Sequence, residues 1–219
     1  MSKLANLIIT AVLLLRSSVT GYTENNTGNT FFPINENVQL IYETSFGTCT
    51  TKYTNKNNNV LTQSEGDRFK YSQELEINKE GAFVKETYQY IKIFLFINKE
   101  ATYRYNKPLI RLPSSLTAGL QWHWEGVEYC NGDSTNIAVN GKVIAKEELL
   151  TDAGIFNSYK VETIIKSESG KTVITEWYAE GTGLIKAKIE LDGGGLMGAV
   201  RDFLGYGTIE FTLKEIKRN

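Results

Sequence analysis

The chain has 219 residues, of which 41% are hydrophobic and 11% aromatic, so it can bury a sizeable core. Its 24 basic and 25 acidic residues give a formal net charge of −1, which excludes the basic surface typical of nucleic-acid-binding proteins. One histidine and two cysteines are too few for a structural zinc site or a multi-histidine metal centre. The sequence therefore predicts no metal, no other cofactor and no nucleic-acid partner.

The N-terminus predicts a signal peptide over residues 1–21. Lys3 supplies a positive charge, and the apolar run Leu4–Leu15 is too short to span a bilayer. Residues compatible with a cleavage site precede Tyr22. The alternative is a buried N-terminal helix. We expect a protein exported to the periplasm or outside the cell, with a flexible leader over 22–30 and no transmembrane span after cleavage.

From Phe31 onward, β-branched and aromatic residues form short runs that are separated by Asn, Gly and Asp, which is typical of antiparallel strands. In Phe69–Ile77, apolar and polar residues alternate. The run Ile91–Ile97 is apolar on both faces for part of its length and predicts a central strand, and Thr208–Ile216 alternates again. The other predicted strands are Val38–Phe46, Thr48–Thr54, Ala82–Tyr90, Ala101–Tyr105, Asn136–Asn140, Lys142–Leu149, Ser158–Ser167, Thr172–Ala179 and Leu184–Leu191. The polar residues 55–59 predict a loop.

These patterns predict a mostly β chain with a single domain over residues 31–219. The strands are expected to form a curved antiparallel sheet or a partly closed β-barrel. One short C-terminal helix is predicted at Leu196–Leu204, because its apolar residues recur at helical spacing between flanking glycines.

A similarity within the chain raises the question of an internal duplication. Val38–Glu43 aligns with Leu120–Glu125 at an offset of 82 residues. Two pseudo-repeats, 31–111 and 112–219, would explain the alignment, and chance similarity between two β-rich stretches explains it equally well.

The segment EWYAEGTGLIKAK, Glu176–Lys188, could be either a phosphate-binding loop or a tight turn. A phosphate-binding loop needs a helix after its glycines. Here Ile185, Ala187 and Ile189 alternate with charged residues after Gly183, which indicates a strand. The segment therefore predicts a β-hairpin in which the glycines supply the turn.

The same hairpin carries a family resemblance. TEWYAEGTGLIKAKIEL resembles the W-Y-A-x-G-x-G-apolar-apolar-K hairpin of an exported bacterial β-rich family of unknown function, labelled TapB-like, and this family is similar in outline to the LolA/LolB lipoprotein carriers. LIRLPSSLTAGLQWHWEG and DAGIFNSYKVET resemble two further segments of the family, so the resemblance covers Leu109–Leu191. Glu180 stands where the family often has proline. The resemblance implies an envelope location and a sheet curved around a hydrophobic interior, and it supplies no catalytic residues.

Four aromatic residues are the candidate ligand-binding residues: Trp122, Trp124, Trp177 and Tyr178. On a strand, Trp122 and Trp124 share one face and His123 points to the other. The two tryptophans are either a wall on which a ligand stacks or ordinary core residues beside a surface histidine. No arrangement of nucleophile, base and orienting acid is visible, so we predict no catalytic residues and no enzyme.

Cys49 and Cys130 are a candidate disulfide. Each follows one of the two strands that the offset of 82 aligns, and an oxidising compartment would let them pair. The alternative is two independent thiols that are buried as small hydrophobic residues.

Two functions remain open. The first is a non-enzymatic exported envelope protein whose curved sheet binds a lipid or another apolar ligand. The alternative is a structural or protein-interaction module with a solidly packed core. A cavity of roughly 300–1,000 Å³ is expected only for the first.

Overall fold

The computed structural model describes residues 30–32, 34–57, 59–94, 97–168, 170–192 and 208–218. In these residues the chain forms twelve β-strands. The strands are β1 (Val38–Thr44), β2 (Gly47–Lys56), β3 (Asn59–Gly66), β4 (Phe69–Asn78), β5 (Gly81–Phe94), β6 (Ile97–Pro113), β7 (Gln121–Cys130), β8 (Asp133–Thr151), β9 (Gly154–Ser167), β10 (Gly170–Ala179), β11 (Gly183–Asp192) and β12 (Thr208–Arg218).

The twelve strands form one closed antiparallel barrel in which each strand pairs with its neighbours in sequence. β1 pairs with β12, with Leu40 opposite Ile216 and Thr44 opposite Phe211, and this pairing closes the sheet. The predicted mostly β fold is therefore confirmed, and closure is complete rather than partial. Closure leaves neither β1 nor β12 with an unpaired edge, which is the main physical advantage of a barrel over an open sheet.

Large side chains fill the barrel interior. A barrel of twelve strands is wider than one of eight strands, whose interior ordinary side chains fill. Here tyrosines and phenylalanines occupy the extra space. The largest fully buried side chains are Tyr42, Tyr53, Tyr103, Tyr178, Phe32, Phe211, Leu40, Leu75 and Leu112. The core is therefore built by long aromatic side chains that reach inward from strands all around the sheet.

The alternation in β4 is confirmed, but β3 was not predicted. Phe69, Tyr71 and Leu75 of β4 are all buried, as their spacing requires. In β3, by contrast, the buried residues after Val60 are Thr62 and Ser64. This strand lacks the apolar alternation that identifies a half-buried strand, because its inward face is mainly polar. The Oγ1 of Thr51 on β2 lies 2.8 Å from Ser64 Oγ, so the buried hydroxyls satisfy each other.

The prediction that Ile91–Ile97 forms one central strand is wrong. β5 ends at Phe94 and β6 begins at Ile97, and these two residues are paired across a hairpin. The loop predicted at residues 55–59 is shorter than expected, since β2 continues to Lys56 and β3 begins at Asn59. In both places the strand ends lie inside a run of uniform composition, so composition alone does not locate them.

The hairpin predicted at Glu180–Gly183 is confirmed. Gly181 and Gly183 have φ values of 69° and 85°, a left-handed conformation that glycine adopts without steric cost. The Gly181 N–H donates to the carbonyl of Thr30 at 2.9 Å, which holds the N-terminal segment against this end of the barrel. Phe31 and Phe32 follow, and their rings lie edge-to-face with Tyr178 at 6.5 and 6.0 Å. The segment thus packs two aromatic rings on the core.

Several predictions lie outside the described residues: the signal peptide 1–21, the leader 22–30 except Thr30, and the helix Leu196–Leu204. The duplication stays a prediction. β1 and β7 are the strands that the offset aligns, and the boundary after residue 111 lies near the end of β6. No helix in the described ranges is long and apolar enough to cross a membrane.

Candidate functional site

Trp122 and Trp124 point into the barrel from β7, as predicted. Trp124 is 6% exposed, its Nε1 donates to the carbonyl of Pro108 at 3.1 Å, and its ring lies edge-to-face with Tyr105 at 6.0 Å. Trp122 is partly buried, and its ring covers Gly141, its partner on β8. A Cβ at Gly141 would lie 2.0 Å from that ring, so a larger residue would displace it.

His123 lies on the outer face of the barrel, also as predicted. Its side chain is 53% exposed. Nδ1 lies 2.8 Å from Asn140 Oδ1, and Nε2 lies 3.1 Å from a carboxylate oxygen of Glu125. Both ring nitrogens of His123 therefore lie next to exposed side chains on the outer surface of the barrel.

Trp177 and Tyr178 lie on opposite faces of β10. Tyr178 is fully buried in the interior. Trp177 points to the opposite face but is only 9% exposed there. Its ring lies between the ammonium groups of Lys160 and Lys186 at 5.1 and 5.8 Å, and its Nε1 donates to Glu147 at 2.5 Å. The four aromatic residues therefore do not form one ligand-binding wall, because adjacent strand residues alternate between faces.

A buried ion pair, which the sequence analysis missed, lies beside Tyr178. Arg111 of β6 and Glu176 of β10 have side chains that are 1% and 0% exposed. Two bonds join them, Nη1 to Oε2 at 2.9 Å and Nη2 to Oε1 at 2.5 Å. The guanidinium also lies 5.7 Å from the centre of the Tyr178 ring. Burial alone would lower the pKa of Arg111, but the Glu176 carboxylate outweighs it and raises that pKa above its usual value.

The interior next to this pair contains a small cavity lined by both apolar and polar side chains. Its volume is about 30 Å³. Its polar lining includes Gln73, Thr87, Gln89, Glu128 and Thr163. Such a volume holds about two water molecules, whereas a site for a lipid-sized ligand needs roughly 300 Å³ or more.

Glu128 gives this cavity a titratable group. Burial raises the pKa of its carboxyl from the usual 4.5 to about 7. The folded protein therefore keeps a proton that the unfolded chain releases between these two values. We expect the free energy of unfolding to fall by about 3 kcal/mol from this residue as the pH rises from 4.5 through 7.

Denaturant titrations across this pH range measure the effect. Glu128→Gln should flatten the pH dependence relative to the wild type, since the amide does not titrate. Glu148→Gln, at an exposed position of β8, is the control and should leave the profile unchanged. Parallel profiles for the wild type and Glu128→Gln would contradict the expectation.

The structure corrects the predicted disulfide. Cys49 and Cys130 are free, buried thiols. Both lie towards the same end of the barrel, but the strand order places β3, β4, β5 and β6 between β2 and β7. Disulfide formation requires the two Cα atoms to lie within about 7 Å of each other. The sheet does not bring two strands that close together when four other strands lie between them. Burial raises the pKa of the Cys49 thiol to about 12, so this thiol is protonated at neutral pH.

In the ranges that the structure describes, no group of three or more His, Cys, Asp or Glu side chains is placed to hold a metal ion.

Sequence reasoning missed the interior charges although a signal was present. Glu176 lies between Ile174 and Tyr178 on the inward side of an alternating strand, and Glu128 follows Trp124 by four residues on β7. A charged residue in phase with the apolar positions of a strand indicates a buried, paired or titrating group. The pairing of Glu176 with Arg111 required the barrel topology.

Comparison with known proteins gives a family and two distant structural likenesses. The sequence profile of the DUF3108-like family matches residues 16–198, which is more than half of the chain. No curated protein has a matching sequence. A crystal structure from Parabacteroides distasonis, provisionally described as a lipoprotein, is 11% identical with a TM-score of 0.42, and the match covers 85% of this chain and 98% of that one.

A second crystal structure, from Bacteroides fragilis, is provisionally described as an exported protein with a YmcC-like fold. It is 14% identical with a TM-score of 0.46, and the match covers 86% of this chain and 99% of that one. The family profile matches residues 16–198, and a match over more than half of the chain is sufficient to assign the family. The chain belongs to the DUF3108-like family, whose function is unknown.

Proposed function

We propose that this protein is an exported, non-enzymatic envelope protein whose closed barrel acts as a packed structural or interaction module. The charged and apolar pattern of residues 1–21 supports export. The position of the single histidine supports a non-enzymatic role, because His123 is bonded to Asn140 and Glu125 on the outer surface rather than set in a cleft.

One observation favours the packed module over a carrier of apolar ligands. The inward aromatic residues that would form a ligand wall are instead engaged with one another and with the backbone, as Trp124 is with Tyr105 and Pro108. The cavity beside them measures only about 30 Å³. An acyl chain would have to displace several buried aromatic side chains to enter.

Titration with a fluorescent fatty acid tests the proposal. We expect no saturable increase in fluorescence with the wild-type protein, while a lipoprotein carrier of the LolA type, measured in parallel, binds the probe. Saturable binding that Trp122→Ala weakens and the outward Trp177→Ala leaves unchanged would contradict the packed module. That result would instead support the second candidate, a carrier of apolar ligands.

A further inference from the structure

Three polar side chains that line the interior cavity come from strands that are not neighbours. They are Gln89 of β5, Glu128 of β7 and Thr163 of β9. Their exposed fractions are 2%, 7% and 4%. Among the described residues, no hydrogen-bond partner reaches Gln89 Oε1, Glu128 Oε2 or Thr163 Oγ1. Folded proteins satisfy nearly all such buried atoms, either with other protein atoms or with ordered water.

The chemistry of these three atoms defines what can occupy the cavity. An amide oxygen only accepts hydrogen bonds and a hydroxyl both donates and accepts, whereas a carboxyl oxygen accepts when ionised and can donate when protonated. The occupant must therefore offer a hydrogen-bond donor to Gln89 and bond to Glu128 in either protonation state, and it can accept one bond from Thr163. A single water molecule has two donor hydrogens and two acceptor lone pairs, so it meets all three requirements.

Size and charge favour water over a metal cation. A buried water molecule needs a cavity volume of roughly 10–15 Å³. The cavity of about 30 Å³ therefore has room for about two water molecules. A cation would also suit oxygen ligands, but the guanidinium of Arg111 lines the same cavity and repels a second positive charge. Among the described residues that line the cavity, Glu128 is the only one with a carboxyl group.

We propose that this cavity is an internal hydration site, in which one or two ordered water molecules bridge Gln89, Glu128 and Thr163. The water links β5, β7 and β9, which the sheet itself does not pair with one another. It thereby forms a hydrogen-bonded connection across the interior of a wide barrel. The site does not depend on the function proposed above.

Magnetic relaxation dispersion of water nuclei, which counts long-lived internal water molecules, tests the site. We expect the variant Gln89→Met/Glu128→Met to contain one or two fewer such waters than the wild-type protein, since a cavity with an apolar lining stays dry. Thr172→Val is the matched control, because Thr172 is 1% exposed and does not line the cavity. This variant should keep the wild-type count. Equal counts in the wild type and the double variant would overturn the proposal.

A crystal structure of the wild-type protein tests the site without any substitution, should the double variant fail to fold. Density for water within hydrogen-bonding distance of Gln89 Oε1 and Glu128 Oε2 supports the proposal. A dry cavity overturns it. An ion in the cavity whose removal lowers the melting temperature of the protein also overturns it.

Discussion

Removing one member of the buried Arg111–Glu176 pair is expected to lower the free energy of unfolding by about 3–5 kcal/mol. Both side chains are almost completely buried, so Arg111→Met leaves the Glu176 carboxylate without its ionic partner, and Glu176→Gln leaves the guanidinium without its counter-charge. Replacing both residues in Arg111→Met/Glu176→Leu should cost much less than the sum of the single changes, because no uncompensated charge remains. Urea denaturation of the three variants at pH 7 measures the coupling.

An exposed pair between neighbouring strands provides the control. Arg104 and Glu86 are 70% and 36% exposed, with a distance of 2.8 Å between Arg104 Nε and a Glu86 carboxylate oxygen. Arg104→Met should cost less than about 1 kcal/mol, since water already solvates both groups. Similar losses from Arg104→Met and Arg111→Met would show that the interior pair is not isolated from solvent, and would contradict the packed core.

The second large effect is expected from Trp124. Trp124→Ala should lower the free energy of unfolding by about 3–5 kcal/mol, because it removes a buried ring, its hydrogen bond to Pro108 and its contact with Tyr105. Trp122→Ala should cost less, since Trp122 is only partly buried. Chemical denaturation followed by circular dichroism measures both changes without relying on tryptophan fluorescence.

His123→Ala is the internal control for the orientation of β7. His123 is exposed between the two tryptophans, so its loss should change the free energy of unfolding by no more than about 0.5 kcal/mol. If His123→Ala proves more destabilising than Trp124→Ala, then the strand faces the other way and the interior described above is wrong.

The sequence predicts the local structure well wherever one face of a strand is apolar. β4, β11 and β12 follow from alternation alone, and glycines identify the hairpin between β10 and β11. β3 was missed because Thr62 and Ser64 occupy its inward positions. Alternation reports apolar burial, and it fails where a buried face is polar.

Closure of the sheet and the interior charges depend on contacts between residues that are distant in sequence. The pairing of β1 with β12 joins residues near both ends of the described barrel, and no local pattern encodes it. Arg111 and Glu176 are 65 residues apart, and only the closed sheet brings them together. The same topology separates Cys49 from Cys130, so the equivalence of their positions along the chain was a poor guide to their distance in space.

The barrel interior is filled by large side chains, and we expect it to carry no lipid. Native mass spectrometry of the protein purified from the envelope of its own host tests this most directly. We predict the mass of the polypeptide alone, with no lipid bound under conditions that preserve the fold. A stoichiometric lipid that co-purifies with the wild-type protein and is lost in Trp122→Ala would contradict it.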